Sequence, residues 1–252
     1  MLRVLLARFK QKYRTVGFPK KEPTLPDKFM GRPVLDTAKC ISCQECAKVC
    51  PVDCITFADK QVKLDLGKCL FCNACTKPCT PGAITFSKDY SLAVSKREDL
   101  VITAETKKLA AAVDKKIHRM FGRSLKLRQV SAAGCNACEA DLNVLSTIVF
   151  DLPRFGIQFV ASPRHADGIV VTGPVSKNME YALKQSYDAT PTPKIVIAVG
   201  SCAINGGPYL DHPEACNGAD KVLPVDLYIP GCPPHPVTIL DGFLQLIGRI
   251  KR

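Results

Sequence analysis

The sequence has no long hydrophobic run. No stretch approaches the roughly 18 to 20 apolar residues that span a bilayer, which excludes a transmembrane helix. Helix-turn-helix, zinc-finger and RNP signatures are also lacking, so the net charge of +12 does not point to nucleic acid. His118, His212 and His235 stand alone, outside any ligand spacing, and read as solvated or internally satisfied side chains. No convincing export signal stands at the start, and most of the fourteen cysteines fall into metal-ligand spacings rather than a secreted disulfide pattern, so a reducing cytoplasm is expected.

What the chain does have is cysteine in a repeated spacing. The run C-x2-C-x2-C-x3-C occurs as Cys40, Cys43, Cys46, Cys50 and again as Cys69, Cys72, Cys75, Cys79, and Ile55-Thr56-Phe57 recurs as Ile84-Thr85-Phe86. In this spacing three cysteines hold one cubane and the fourth crosses to the other. The expected sets are Cys40, Cys43, Cys46 and Cys79 for one [4Fe–4S] cluster, and Cys69, Cys72, Cys75 and Cys50 for the second. Zinc sites also use close cysteine pairs, but usually as two separated pairs rather than a triplet with a crossing fourth. Proline follows Cys50 directly but comes one residue later after Cys79, a shift that alters local hydrogen bonding more than ligation.

At 252 residues the chain accommodates a small domain and a medium one. Residues 1–39 carry ten Lys or Arg against three acids, which suits anionic lipid or an acidic partner. Leu2, Leu5, Leu6, Phe9 and Tyr13 fall at helical spacing among Arg3, Arg8, Lys10, Lys12 and Arg14, predicting a basic amphipathic helix that lies in a membrane interface or docks on a partner subunit. Pro19, Pro23 and Pro26 then break regular structure. The domain reading is a basic helix and arm over 1–35, a two-cluster ferredoxin domain over 36–97, a linker helix over 98–122 and an α/β domain over 123–252.

In the last of these, apolar runs at 125–130, 157–160, 169–172, 195–199 and 227–229 alternate with helical patterns. The fold class is therefore an α+β ferredoxin-like two-cluster domain followed by an α/β flavodoxin-like domain with a mostly parallel sheet. Cys135 and Cys138 follow the first run, Cys202 the fourth and Cys232 the fifth, and the carboxyl ends of strands in an open α/β sheet meet in one crevice. Four thiolates converging there complete a third [4Fe–4S] cluster, with Gly134, Gly200, Gly231 and Pro230, Pro233, Pro234 shaping the loops. Cys54 occupies the place that Ala83 has in the second repeat and reads as a small buried hydrophobe; Cys216 has no partner at ligand spacing.

Residues 125 to 247 resemble the small subunit of group 4 membrane-bound [NiFe]-hydrogenases, itself related to the complex I subunit that carries the N2 cluster. The resemblance lies in Gly134-Cys135-Asn136-Ala137-Cys138-Glu139, Ser162-Pro163-Arg164-His165-Ala166-Asp167, Val199-Gly200-Ser201-Cys202-Ala203 and Pro224-Val225-Asp226 to Pro234. Residues 1 to 103, including Asp89-Tyr90-Ser91-Leu92-Ala93-Val94, resemble the polyferredoxin subunit of formate hydrogenlyase-type complexes, as if two electron-transfer subunits were fused. The complex I subunit carries its first two ligands as adjacent cysteines, whereas Cys135 and Cys138 are separated by two residues, as in hydrogenases.

The resemblance implies an electron-transfer subunit peripheral to the cytoplasmic side of the membrane. Its implied partners are a large subunit holding the nickel–iron site, membrane-arm subunits and a redox donor or acceptor protein, and this chain is expected to hold no nickel. The alternatives are the same wire ending at a quinone, or a soluble ferredoxin carrier. In the resembling hydrogenases an acid at the position of Glu139 lies near the proximal cluster, where it relays protons or caps the following helix. Arg164 and His165 resemble positions at the quinone end of the complex I relative.

Overall fold

A computed structural model describes residues 2–58, 61–103 and 124–250. The amphipathic start is helix α1 (Leu2–Gln11), and none of its residues is buried. Its apolar residues face outward, Phe9 being 79% exposed. The proline-rich segment behind it does not run free into the ferredoxin-like region. Arg154 donates to the carbonyls of Val16 and Phe18, and Phe18 is buried edge-on against Tyr90 at 5.9 Å between ring centroids.

The duplication is visible in three dimensions. Strand β1 (Pro33–Leu35) pairs antiparallel with β4 (Ile84–Phe86), and β2 (Ile55–Ala58) with β3 (Gln61–Asp65). The repeated Ile-Thr-Phe triplets are therefore β2 and β4, each with its first isoleucine buried. Helix α2 (Glu45–Lys48) and a 3-10 turn at Ala74–Thr76 take equivalent places in the two cysteine runs.

The expected linker helix over 98–122 is corrected at its start. Arg97–Leu100 forms a 3-10 turn and Val101–Ile102 a short strand, β5, paired antiparallel with β3. Burying Leu100 and Ile102 against Leu64 outweighs the helical periodicity there. Residues 104–122 of that expectation, with His118, lie outside the described residues.

Beyond this comes a five-stranded parallel sheet: β6 (Leu125–Ser131), β7 (Ile157–Phe159), β8 (Gly168–Thr172), β9 (Ile195–Val199) and β10 (Leu227–Ile229). Their order is β7-β6-β8-β9-β10, so the chain reverses direction between β6 and β8. The connecting helices include α3 (Ala137–Val144), α4 (Lys177–Ala189) and α5 (Ser201–Asn205), and α6 (Pro236–Leu246) closes the unit. Strands β8, β9 and β10 are buried along their whole length, as expected when both faces of a parallel sheet are covered.

Helix α6 is buried at every position, since the segment containing Phe18, Tyr90 and Ala93 covers the side turned away from the sheet. Val94 and Tyr228 exchange backbone hydrogen bonds of 3.0 and 2.8 Å, which fastens the first half to the edge strand β10. A buried polar knot reinforces the joint: Ser91 Oγ donates to Asp241 Oδ2 at 2.7 Å, and Gln245 Nε2 donates to Ser91 Oγ at 2.9 Å. All three side chains are buried, so losing a donor there leaves a poorly solvated acceptor. Ser91→Ala is expected to cost about 1–3 kcal/mol. Urea unfolding of the iron-loaded chain measures this, and an unchanged midpoint would contradict the role of the knot.

Candidate metal centres

The cysteine runs wrap backbone around open space. Ser42 and Gln44 in the first run, and Phe71 and Asn73 in the second, hold positive φ angles between 52° and 62°. Alternating left- and right-handed residues turns successive N–H groups inward, a concavity that suits the sulfur-rich anion of an iron–sulfur site. Cys40, Cys43, Cys46 and Cys79 line one cavity together with Ile41, Phe57, Pro81 and Ile84. Burial raises the Cys46 pKa, and the neighbouring Cys79 and Cys43 add to the rise. At the second site burial pushes Cys75 up to about 12, with Cys69, Cys72 and Cys50 contributing. The fourth cysteine of each run thus lies with the first three of the other run.

Peptide N–H groups reach the sulfurs at both sites. Cys79 Sγ accepts from the amide of Ala83 at 3.2 Å, Cys50 Sγ from that of Cys54 at 3.3 Å, and Cys69 Sγ from that of Phe71 at 3.3 Å.

The third constellation comes from the parallel sheet. Cys135 follows β6, Cys138 lies in the first turn of α3, Cys202 in α5 after β9, and Cys232 after β10, all on the side of the strand carboxyl ends. Burial raises the Cys138 pKa, followed by repulsion from Glu139, Cys202, Cys232 and Cys135. Cys202 is pushed up to about 11 by burial, then by Cys232 and Cys135. Cys232 is raised by burial, then by Cys135, Cys69 and Cys72. Ser201 Oγ, next to Cys202, donates to the carbonyl of Cys69 at 2.7 Å, which sets the second repeat site beside the third.

Two glycines keep this space open. A Cβ at Gly200, where φ is +91°, would sit 2.5 Å from Cys138 Sγ, and one at Gly207 would sit 2.8 Å from Cys202 Sγ. Among the described residues no three Cys, His, Asp or Glu side chains are close enough together for a single metal ion. Thiols too far apart for a single ion suit a multi-iron cluster, and bound iron would hold them as thiolates.

Glu139 is 6% exposed. Its Oε1 accepts from Ser131 Oγ at 2.6 Å and from Thr172 Oγ1 at 2.7 Å. Those hydroxyls stand at the carboxyl ends of β6 and β8, where the sheet order reverses. The carboxylate therefore joins two strand ends next to Cys138. Sequence reasoning missed Ser131, Thr172 and Gly207, since their roles depend on which strand ends become neighbours.

The remaining candidates lie elsewhere. Arg164 and His165 line a surface cleft with Lys126 and Asp167 at the amino ends of the strands, opposite the cysteines. His235 Nδ1 accepts from the amide of Val237 at 3.2 Å and caps α6; burial lowers its pKa. His212 accepts from the amide of Glu214, and Cys216 lies 3.6 Å from Glu180 Oε2.

Residues 135–246 match the family model described as NADH ubiquinone oxidoreductase, 20 Kd subunit, and residues 32–86 match the 4Fe-4S dicluster domain. A probable membrane-bound hydrogenase subunit, mbhJ, of Pyrococcus furiosus is 38% identical over 134 residues, covering 53% of this chain and 80% of the relative. The chain belongs to the 20 Kd subunit family. It carries in addition a 4Fe-4S dicluster region, and [4Fe–4S] clusters are its cofactor type.

Within the family, formate hydrogenlyase subunit 7 of Escherichia coli is 38% identical, covering 56% of each chain, so this chain spans just over half of that relative. An NADH-quinone oxidoreductase subunit of Bacteroides thetaiotaomicron is 43% identical, covering 52% of this chain and 66% of the relative. Among solved structures, a chain of the archaeal membrane-bound sulfane sulfur reductase is 37% identical over 53% of this chain and 73% of its own, with a TM-score of 0.47.

Gly200→Ala is expected to displace the Cys138 thiol and strain the loop, lowering the iron retained while circular dichroism stays the same. Full iron retention in this variant would contradict the close approach.

Proposed function

We propose that this chain is the iron–sulfur electron-transfer subunit of a membrane-associated complex of the group 4 [NiFe]-hydrogenase type. In this reading it holds three [4Fe–4S] clusters in series: Cys40, Cys43, Cys46 and Cys79; then Cys69, Cys72, Cys75 and Cys50; then Cys135, Cys138, Cys202 and Cys232. The observation that carries it is the meeting of four thiols from three strand ends beside Cys69 and Cys72. Bound clusters supply one-electron transfer. The chain's own residues hold the thiolates, shield the sites with buried apolar side chains and direct amide N–H groups at the sulfurs.

The order β7-β6-β8-β9-β10 supports the flavodoxin-like reading of the second unit, in which a cofactor sits at the strand reversal. Peripheral attachment is supported by α1, whose basic and apolar residues are exposed, while no helix among the described residues is long and apolar enough to cross a membrane. A position on the cytoplasmic side, a large-subunit partner bearing the nickel–iron site, membrane-arm subunits and a redox partner protein complete this reading.

The similarity to mbhJ and the two-residue separation of Cys135 and Cys138 favour hydrogen as the far end of the wire. The 43% identity to an NADH-quinone oxidoreductase component favours a quinone, and the experiment must separate the two. Glu139 is taken as a proton relay beside the third site, since its buried carboxylate is linked to two hydroxyls able to pass a proton.

The complex purified through this chain should evolve hydrogen from a reduced viologen. Quinone reduction without hydrogen turnover would overturn the choice of partner. Glu139→Gln keeps the shape but removes the ionisable group, so turnover should fall by ~10²-fold or more with cluster spectra unchanged. Unchanged turnover would leave Glu139 as a strand-end anchor only.

A further inference from the structure

Cys54 lies outside every ligand spacing, yet it touches a proposed ligand. It is 5% exposed, and its sulfur stands 3.3 Å from Cys50 Sγ. Cys69, the first cysteine of the other run, is near enough to help raise the Cys54 pKa. The duplication provides a comparison within the same molecule. Ala83 stands four residues after Cys79 as Cys54 stands four after Cys50, and both amides donate to the preceding sulfur, at 3.2 and 3.3 Å. The backbone donor is common to the two sites, and the thiol is peculiar to one.

This inference rests on Cys50, Cys69, Cys72 and Cys75 holding one cluster. Under that assignment Cys50 and Cys69 are iron-bound thiolates without a proton, so the single S–H in the group belongs to Cys54. We propose that Cys54 is a positioning residue whose S–H donates to the ligand sulfur of Cys50, holding that cluster at a higher reduction potential than the same loop with alanine.

The physical reason is charge. Reduction adds one electron to the cluster and makes its sulfurs more negative, so a donor hydrogen bond stabilises the reduced state more than the oxidised one. Burial of Cys54 and Cys69 keeps water from competing for the same sulfurs. The site of Cys40, Cys43, Cys46 and Cys79 has no such donor at Ala83. The two halves of the duplication are thereby made unequal, and the adjusted site is the one whose Cys69 and Cys72 face Cys232.

The test is an EPR-monitored redox titration, with dithionite as reductant, on the purified complex carrying the wild-type chain, Cys54→Ala or Cys54→Ser. Cys54→Ala is expected to keep all its iron and to lower one midpoint. At a fixed potential the reduced-to-oxidised ratio of that cluster should fall by roughly tenfold, ~59 mV for one electron. Cys54→Ser restores a donor and should recover most of the shift, which a residue that merely fills space would not do. Ala83→Cys places the same donor at the other site and should raise the other midpoint.

Unchanged midpoints in Cys54→Ala with iron retained would overturn the inference while leaving the cluster assignment intact. Loss of four irons in that variant would make Cys54 a ligand, and the assignment itself would fall with the inference.

Discussion

Thiols crowded out of water resist becoming thiolates, and the structure is arranged around that difficulty. At each of the three sites burial raises a cysteine pKa, and neighbouring cysteines raise it further. Iron at such sites would compensate the sulfur charge, which would couple folding to cofactor binding. Peptide amides are directed at the sulfurs of Cys50, Cys69 and Cys79, and glycines leave room beside Cys138 and Cys202.

The second consequence is that the two halves are built into one core. Ala203, Ile204 and Tyr228 of the sheet unit pack with Leu64, Leu66, Val94 and Leu100 of the first half. Ser201 Oγ donates to the carbonyl of Cys69 at 2.7 Å, tying the loop of one site to the residue before Cys202 in another. Spacing between the candidate metal centres is thereby fixed by packing. Such rigidity suits electron transfer along a fixed route.

Much of this was legible in the sequence because the signals were local. Cys79 lines one cavity with Cys40, Cys43 and Cys46, and the five apolar runs became the five parallel strands within a residue or so at each end. The segment after Lys96 was misread, since helical periodicity cannot reveal that Leu100 and Ile102 pack on a neighbouring strand. The packing of Phe18 on Tyr90 was equally hidden, because contacts across so many residues leave no periodic trace. Glu139 was visible as an acid beside a ligand, but its hydroxyl partners Ser131 and Thr172 became neighbours only through the parallel pairing of β6 and β8. Cys54 read as a space-filling residue, and only the folded loop sets its sulfur against that of Cys50.

The central claim is that twelve of the fourteen cysteines hold three clusters. Quantitative iron and acid-labile sulfide analysis of the anaerobically purified chain, with Mössbauer spectroscopy to identify the cluster type, tests it most directly. The account predicts about twelve irons and about twelve sulfides per chain, all in [4Fe–4S] form. About eight of each would contradict it, leaving the repeat sites filled and the meeting of Cys135, Cys138, Cys202 and Cys232 without its cluster.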